Sequence, residues 1–466
     1  MIACSHQGAD EQDLCQRAAT MTVKSYDVLI VGGGVSGTAL LYELARYTDL
    51  GRIGLVEKYS DFATVNSKGT NNSQTIHCGD IETNYTLEKA VKVKRTAGML
   101  VNFAKALPPE ERDGIIFKYP KMVLGVGEKE SQFIRDRFKV FREHYPEMQL
   151  LDKEGIAEIE PAVAKVGDEY RPEELAAIAI TDEYTAVDYK ALSVAFVKKA
   201  KEVQGKTIDV HLNTQVQNIE KSGDLHRVLT AKGVYEAKFV VVCAGGHSLL
   251  LAQQMGYGLN FSCLPMAGSF YFTPRVLNGK VYTVQNDKLP FAAIHGDPDV
   301  LVEGKTRFGP TALILPMLER YNPRTIPEFF KVLKLDGAVF KVFWDLFKVK
   351  DIRNYIFKNL LFEIPWVRRR LFLKDARKIV PSLQLRDVTF ASGFGGIRPQ
   401  LIDKTNKELM LGEARINPGT GIIFNMTPSP GGTSCLGNAE NDLREIVRHL
   451  GCQFDEAAFN ADMHNE

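Results

Sequence analysis

Apolar residues fall along this chain in short runs, separated by polar stretches that glycine and proline punctuate, and the spacing within each run predicts its element. Tyr26-Asp27-Val28-Leu29-Ile30-Val31 is nearly continuous in apolar character, the pattern of a strand buried on both faces. It leads into Gly32-Gly33-Gly34-Val35-Ser36-Gly37, after which Ala39, Leu40, Leu44 and Ala45 recur at helical spacing. A second strand, 52–56, ends at Glu57, and a loop rich in Asn, Ser, Thr and Gly follows over 64–86. Helical periodicity spans 87–105, with Ala90, Val93, Ala97 and Val101 in step, and returns over 129–146 and 188–203. Strands are predicted near 209–212, 227–230 and 239–242, and 264–315 is strand-rich, broken at Pro274, Gly279, Pro290 and Gly309. A helical block covers 327–379, and 408–450 reads as strand, glycine-rich turn and helix. The sequence shows no repeat period.

The opening β-α-β unit has the order a dinucleotide site needs. Gly32 permits the tight turn, Gly34 lets backbone approach a pyrophosphate, and Gly37 lets helix and strand pack closely. The helix N-terminus then presents N–H donors and the positive end of its dipole to the phosphates. Glu57, 25 residues past Gly32, is placed to accept hydrogen bonds from a ribose diol, and an acid there excludes the 2′-phosphate of NADP. The one further near match, Val123-Leu124-Gly125-Val126-Gly127-Glu128, lacks the third glycine, so a single nucleotide site is expected. Lys238 to Gly246, a strand ending in Ala-Gly-Gly, resembles the returning strand that FAD proteins place beside the fingerprint. The expected fold is α/β, a Rossmann-like FAD-binding domain of the single-fingerprint type interleaved with an α+β substrate domain on a mixed or antiparallel sheet. The boundaries expected are 25–86, 188–262 and 390–455 for the first domain and 87–187 and 263–389 for the second. A flexible extension over 1–24 and a tail over 456–466 complete the division.

Composition narrows the class. At 466 residues, 45% hydrophobic and 25% charged, the chain is neither disordered, collagen-like nor coiled-coil. A net charge of +1 provides no global field to recruit nucleic acid. The best apolar run, Phe239 to Ala244, is far shorter than the roughly 20 residues of a membrane span. Seven scattered cysteines without a C-x-x-C pair argue against a disulfide framework or a zinc knuckle, and for a reducing cytoplasm. Asp10, Glu11 and Asp13 stand where an export signal would be apolar, so none is expected.

Four loops carry candidate chemistry. Asn71 to Thr86 is too polar for a core and holds His77, and the imidazole of a histidine is the side chain suited to base work near neutral pH. Leu289 to Pro298, with Gly304 to Ala312 after it, pairs His295 with Arg307. Arg398 stands beside Gly393, Gly395 and Gly396, which let backbone approach a ligand, and arginine suits a bidentate grip on a carboxylate. In 421–435 a strand, a Pro/Gly loop and a helix beginning at Thr433 or Ser434 form a second N–H nest, suited to the electron-rich pyrimidine end of a reduced flavin.

Taken together, NSQTIHCGDIETNYT (72–86), MGYGL (255–259), LPMAGSFYF (264–272), GKVYTVQN (279–286), LPFAAIHGDPD (289–299), GKTRFGPTA (304–312) and FNMTPSPGGTSC (424–435) make the chain similar to the malate:quinone oxidoreductase family from Tyr26 to about 455. The run N-S-x-x-I-H-x-G (72–79) and the Gly-Pro after Arg307 also resemble L-2-hydroxyglutarate dehydrogenases. The resemblance implies FAD-dependent oxidation of malate to oxaloacetate, with electrons passed to a membrane quinone by an enzyme attached peripherally to the inner face of the cytoplasmic membrane. Another 2-hydroxy acid such as L-2-hydroxyglutarate is the alternative substrate. A non-catalytic lipid- or partner-binding protein on the same scaffold is the alternative class. The expected cofactor contacts are Gly32, Gly34, Ser36, Gly37, Glu57, Lys58, Asn72, Ser73, Val216, Ala244, Gly245, Gly396, Gly431, Gly432, Thr433 and Ser434. Arg307, Arg398, Gln74 and Thr75 are the expected substrate contacts, His77 or His295 is the base, and no metal is expected.

Residues 331–378 hold 13 Lys/Arg against 5 Asp/Glu. Phe340, Phe343, Trp344 and Phe347 fall on one helical face there, and Arg368-Arg369-Arg370 follows Pro365-Trp366. That composition suits an interfacial anchor on an anionic lipid surface, and a quinone acceptor, which stays in the bilayer, favours it over a helix packed wholly on the core.

Overall fold

The five parallel strands at the centre of the nucleotide sheet come from three distant parts of the chain. In the computed structural model, which describes residues 23–285, 294–362, 364–410, 413–428 and 430–465, Thr207–His211, Arg52–Val56, Val23–Val31, Gly233–Val242 and Ile422–Met426 lie side by side and parallel. Antiparallel strands Leu225–Thr230, Val216–Ser222 and Ala414–Ile416 widen this sheet. Alternate residues of each strand serve opposite faces. Val28, Ile30, Ile53, Leu55 and Val241 meet helices Val35–Tyr47, Tyr189–Glu202 and Cys435–Leu450 on one side. Leu29, Val31, Val240 and Phe424 meet helix Gly246–Gln254 and the antiparallel strands on the other. Burial on both faces is why the stretches at 28–31, 239–242 and 422–424 read as unbroken apolar runs.

A second sheet is mixed. Its order is Thr389–Phe390, Tyr271–Pro274, Lys305–Gly309, His295–Pro298, Lys280–Thr283, Lys121–Val126, Leu175–Ile180 and Gln149–Leu151, antiparallel except where Lys280–Thr283 runs beside Lys121–Val126. A third, antiparallel sheet joins Leu313–Ile314, Phe261–Ala267, Ile397–Asp403 and Glu408–Met410. The α/β fold with an interleaved mixed and antiparallel sheet domain is therefore as expected. Among the described residues no helix is long and apolar enough to cross a membrane, and Cys78, Cys243, Cys263, Cys435 and Cys452 are free thiols.

Particular elements depart from the sequence expectation. The first strand starts at Val23, so the extension expected over 1–24 lies outside the described residues only to residue 22. Residues 286–293, which include the start of the LPFAAIHGDPD motif, also lie outside them. Helix Leu87–Lys105 buries Ala97, Leu100 and Phe103 in the core under the nucleotide sheet, not in the substrate domain. Strands Ile397–Asp403 and Glu408–Met410 pair into the third sheet, not the nucleotide sheet. The expected tail is helix Glu456–His464, because Phe459 and Met463 give it an apolar stripe to bury and Tyr47 donates to Asp462. The incomplete fingerprint at Val123–Glu128 belongs to the second sheet, where a Cβ on Gly125 would lie 2.7 Å from the Glu130 carbonyl, so that glycine serves helix packing. The basic block divides into Ile326–Leu333, Gly337–Lys348, Lys350–Leu361 and Pro365–Ala376. Phe340, Trp344 and Phe347 share an exposed face, but Phe343 turns toward Val339 and Val342 and packs on the core.

Candidate active site

The fingerprint glycines are fixed by contact. Gly32 stands at φ +112°, and a Cβ on it would lie 2.5 Å from the carbonyl oxygen of Cys243 on the neighbouring strand. A Cβ on Gly37 would overlap the Gly32 carbonyl oxygen, which sets how closely the first helix approaches its strand. Gly34 occupies the N-cap of that helix, where it can cap nothing itself, and Ser67 Oγ accepts the Val35 N–H at 3.0 Å instead. The positive end of the helix dipole thus faces an anion-sized opening. Glu57 accepts the N–H groups of Gly33 at 2.6 Å and Tyr59 at 2.9 Å. Burial pushes its pKa up, and those donors offset part of the rise.

A cavity of about 470 Å³ connects these groups to the chemistry-bearing loops. Gly32, Gly34, Ser36, Glu57, Lys58, Asn72, Ser73, Val216, Ala244, Gly245, Gly396, Gly431 and Gly432 line it, together with Thr75, His77 and Arg398. Sixteen of the residues singled out from the sequence are therefore brought to one cavity. A Cβ on Gly396 would meet the Asn71 carbonyl oxygen at 2.5 Å. Glycine is required on this wall as it is at Gly32, and the cradle fits a dinucleotide whose ring system passes against bare backbone. Phe270 and Pro310 line the same cavity as His77 and Arg398.

The His77 ring is held from behind. Its Nδ1 is 2.5 Å from Glu82 Oε1, and its backbone N–H donates to Thr433 Oγ1 at 3.0 Å. Glu82 is buried, which raises its pKa, yet the hydrogen bond and charge of His77 outweigh burial and hold it below the ordinary value. An ionised Glu82 fixes the proton on Nδ1 and leaves Nε2 as the acceptor. Thr75 Oγ1 sits between Tyr282 Oη at 2.8 Å and Lys280 Nζ at 3.1 Å.

Six expected site residues lie off the cavity wall. Gly37 acts through helix packing, as above. Gln74, at φ +50°, donates to the Gly69 carbonyl and accepts from the Val300 N–H, so it braces the loop. Thr433 shares a hydrogen bond with Tyr189 Oη at 2.9 Å and ties its loop to that of His77, while Ser434 is the N-cap of a helix that starts at Cys435, one residue later than expected. His295 is 2% exposed, with Nδ1 2.5 Å from Asp297 Oδ2 and its ring stacked 4.3 Å from Tyr282. Burial lowers its pKa. Arg307 is fully buried behind Phe270, 3.3 Å from Asp299 Oδ2 and 3.3 Å from the Gly69 carbonyl. Arg307 thus lies one side chain behind the wall, at Phe270, and His295 lies deeper, against Tyr282, which itself reaches the wall residue Thr75. Glu82 and Phe270 were not singled out from the sequence. An acid five residues after a loop histidine is a detectable signal for the first, and nothing local marks the second.

The chain matches the FAD dependent oxidoreductase (DAO) family over residues 27–440. It is 52% identical over 450 residues to the probable malate:quinone oxidoreductase of Campylobacter jejuni, covering 95% of this chain and 100% of that one. It is 47% identical over 448 residues to the malate:quinone oxidoreductase of Helicobacter pylori, covering 95% and 98%. Among solved structures, the FAD-bound L-α-glycerophosphate oxidase of Mycoplasma pneumoniae superposes with a TM-score of 0.61 at 22% identity over 92% of this chain and 96% of that one, a likeness of fold.

Proposed function

The chain belongs to the FAD-dependent oxidoreductases and, within them, to the malate:quinone oxidoreductase family, and from that premise we propose that His77 and Arg398, both on the cavity wall, carry its chemistry. The protein is an FAD-dependent enzyme that oxidises malate to oxaloacetate with quinone as the electron acceptor. FAD, when bound, supplies the two-electron acceptor for the hydride of the malate C2 carbon and the one-electron chemistry toward quinone. Gly32, Gly34, Ser36 and Glu57 would hold its nucleotide end, and Gly396, Gly431 and Gly432 its ring end.

The observation that carries this reading is the His77–Glu82 pair at 2.5 Å beside a cavity that His77 lines and His295 does not. His77 Nε2 accepts the hydroxyl proton of malate, and Glu82 keeps the ring oriented and stabilises the imidazolium that forms. Arg398 grips a substrate carboxylate and sets the C2–H direction. Phe270 and Pro310 give the cavity that holds these groups an apolar stretch of wall. Anaerobic stopped-flow reduction by malate tests the assignment. His77→Gln slows bleaching of the flavin band by a factor on the order of 10² to 10⁴, the usual worth of a positioned base. Equal rates in His77→Gln and the parent would refute it, as would a flavin that 2-hydroxyglutarate bleaches faster than malate.

Helices 326–376 supply the membrane face in this proposal. Trp344, Phe347, Phe357, Leu360, Ile364 and Trp366 are exposed among the basic residues there, an apolar patch rimmed by positive charge. Such a face rests on anionic lipid at the inner surface of the cytoplasmic membrane, where quinone is within reach.

A further inference from the structure

Behind the loop that carries His77 lies a buried group of charges that the reaction, as derived above, leaves unused. Asp80 Oδ1 is 2.9 Å from Lys121 Nζ, and Lys121 also pairs with Glu183. Asp80 and Lys121 are buried completely or nearly so. Arg137 enters the same space, donating to the carbonyls of Glu82 at 2.8 Å and Tyr85 at 3.2 Å. With Glu82, the group holds three carboxylates (Asp80, Glu82, Glu183) against two cations (Lys121, Arg137). Asp80 Oδ2 and Glu82 Oε2 are buried without a hydrogen-bond partner, so the surplus negative charge is not dispersed. Surplus charge in a low-dielectric interior is costly, and a structure retains it where a counter-charge arrives during function.

We propose that Asp80, Lys121 and Glu183 are positioning residues for malate oxidation: their cluster is one positive charge short, and the imidazolium of His77, formed when it takes the substrate proton, completes it. The proposal rests on His77 as the base. With neutral imidazole the group is at −1, and with imidazolium it is at zero. Preorganised charge of this kind favours the state that follows proton transfer and does not need to reorganise as it forms. Lys94 and Lys105 line the second cavity with Glu183, outside the buried group, and Lys94 donates to the His144 carbonyl. Lys118 pairs with Asp182 at 2.6 Å, Lys89 and Glu413 influence each other, and Arg398 faces the substrate carboxylate. Cys78, Tyr85, Tyr145 and Tyr282 are pushed toward their neutral forms by burial. Glu183 alone of the three carboxylates reaches solvent, through a second cavity of about 340 Å³ that it lines with Cys78 and Lys118.

The test measures the pH dependence of flavin reduction by malate in the holoenzyme, and the titration of the His77 imidazole by NMR, its signal identified by its loss in His77→Gln. Asp80→Asn removes one negative charge and shifts both the acid limb of the rate and the imidazole pKa downward by about one pH unit. Glu183→Gln shifts them the same way by less, because water screens it. The double variant Asp80→Asn, Lys121→Met restores the −1 balance and returns both readouts toward the parent, whereas a merely structural role predicts greater damage in the double variant. Should Asp80→Asn not fold, Glu183→Gln at the cavity rim carries the test. Unmoved limbs in the single variants, or a double variant displaced further than Asp80→Asn, overturn the proposal. If His77→Gln reduces flavin at the parental rate, it is the base assignment that fails instead.

Discussion

Removing the two tryptophans of the basic helical block, as Trp344→Ser and Trp366→Ser together, separates membrane docking from catalysis. Trp344 is 53% and Trp366 88% exposed. On roughly 200 Å² per indole, those fractions leave about 280 Å² of aromatic surface in water. If about half of it enters the interface at about 25 cal/mol/Å², the pair contributes about 3.5 kcal/mol, or roughly a 300-fold change in partition coefficient. Neither residue lines the cavity, so dye-linked malate oxidation and the bound-flavin spectrum stay at parental values. The assay is sedimentation with vesicles of anionic and neutral phospholipid at low salt, followed by quinone reduction in the same vesicles. The parent binds anionic vesicles and is released as salt rises, because the basic residues act within a Debye length. The double variant stays in the supernatant and reduces vesicle quinone slowly while reducing the soluble dye normally. An unchanged bound fraction would show that this face does not dock and refute the placement of the membrane.

His295→Gln lowers thermal stability yet keeps most of the rate of flavin reduction, because the ring braces Tyr282 from behind; a loss as large as that of His77→Gln would make it the base. Arg398→Lys raises KM for malate and lowers kcat/KM about 10- to 100-fold by losing the planar two-point grip, whereas Arg307→Lys lowers the Tm and leaves KM alone; steady-state kinetics and melting curves distinguish them. Gly37→Ala forces a methyl onto the Gly32 carbonyl, and the purified protein comes off the column with little flavin, read from absorbance against protein mass. Glu160, whose carboxylate accepts the N–H groups of Asn278 and Gly279, is pushed up to about 7 by burial, so the folded state binds its proton more tightly than the unfolded chain. That contribution is complete below the unfolded value near 4.5 and is lost as pH rises through about 7, so Glu160→Gln flattens the dependence of stability on pH across that window.

The nucleotide half of the molecule was legible because its signals are local. Gly32, Gly34, Gly37 and Glu57 sit within one β-α-β unit, and the strand before Ala244 announces itself by its apolar run. The substrate end was legible only in part. His77 and Arg398 stand in loops with unusual composition, but whether a side chain lines a cavity or lies one layer behind it is set by tertiary packing. His295 and His77 look alike in sequence, since each is followed within five residues by an acid. Tyr282 covers one ring and an open cavity meets the other. Phe270 screens Arg307 in the same way. The C-terminal helix is hard to see in the sequence because a short segment with three Ala lacks a long period, and only Phe459 and Met463 are buried along it. The Asp80–Lys121–Glu183 group joins three separated segments, so no window of sequence contains it.

The discontinuity of the nucleotide sheet has a consequence for biosynthesis. Its fifth parallel strand is made of residues 422–426, so a nascent polypeptide emerging from the ribosome carries an open sheet edge at Val240–Val242 until that segment has been made. The glycine loop that follows that strand appears later still. Pigment loading therefore waits on this segment, whose loop residues Gly431 and Gly432 line the cavity, and truncated products that end before residue 422 are expected to be colourless however intact their amino-terminal fingerprint.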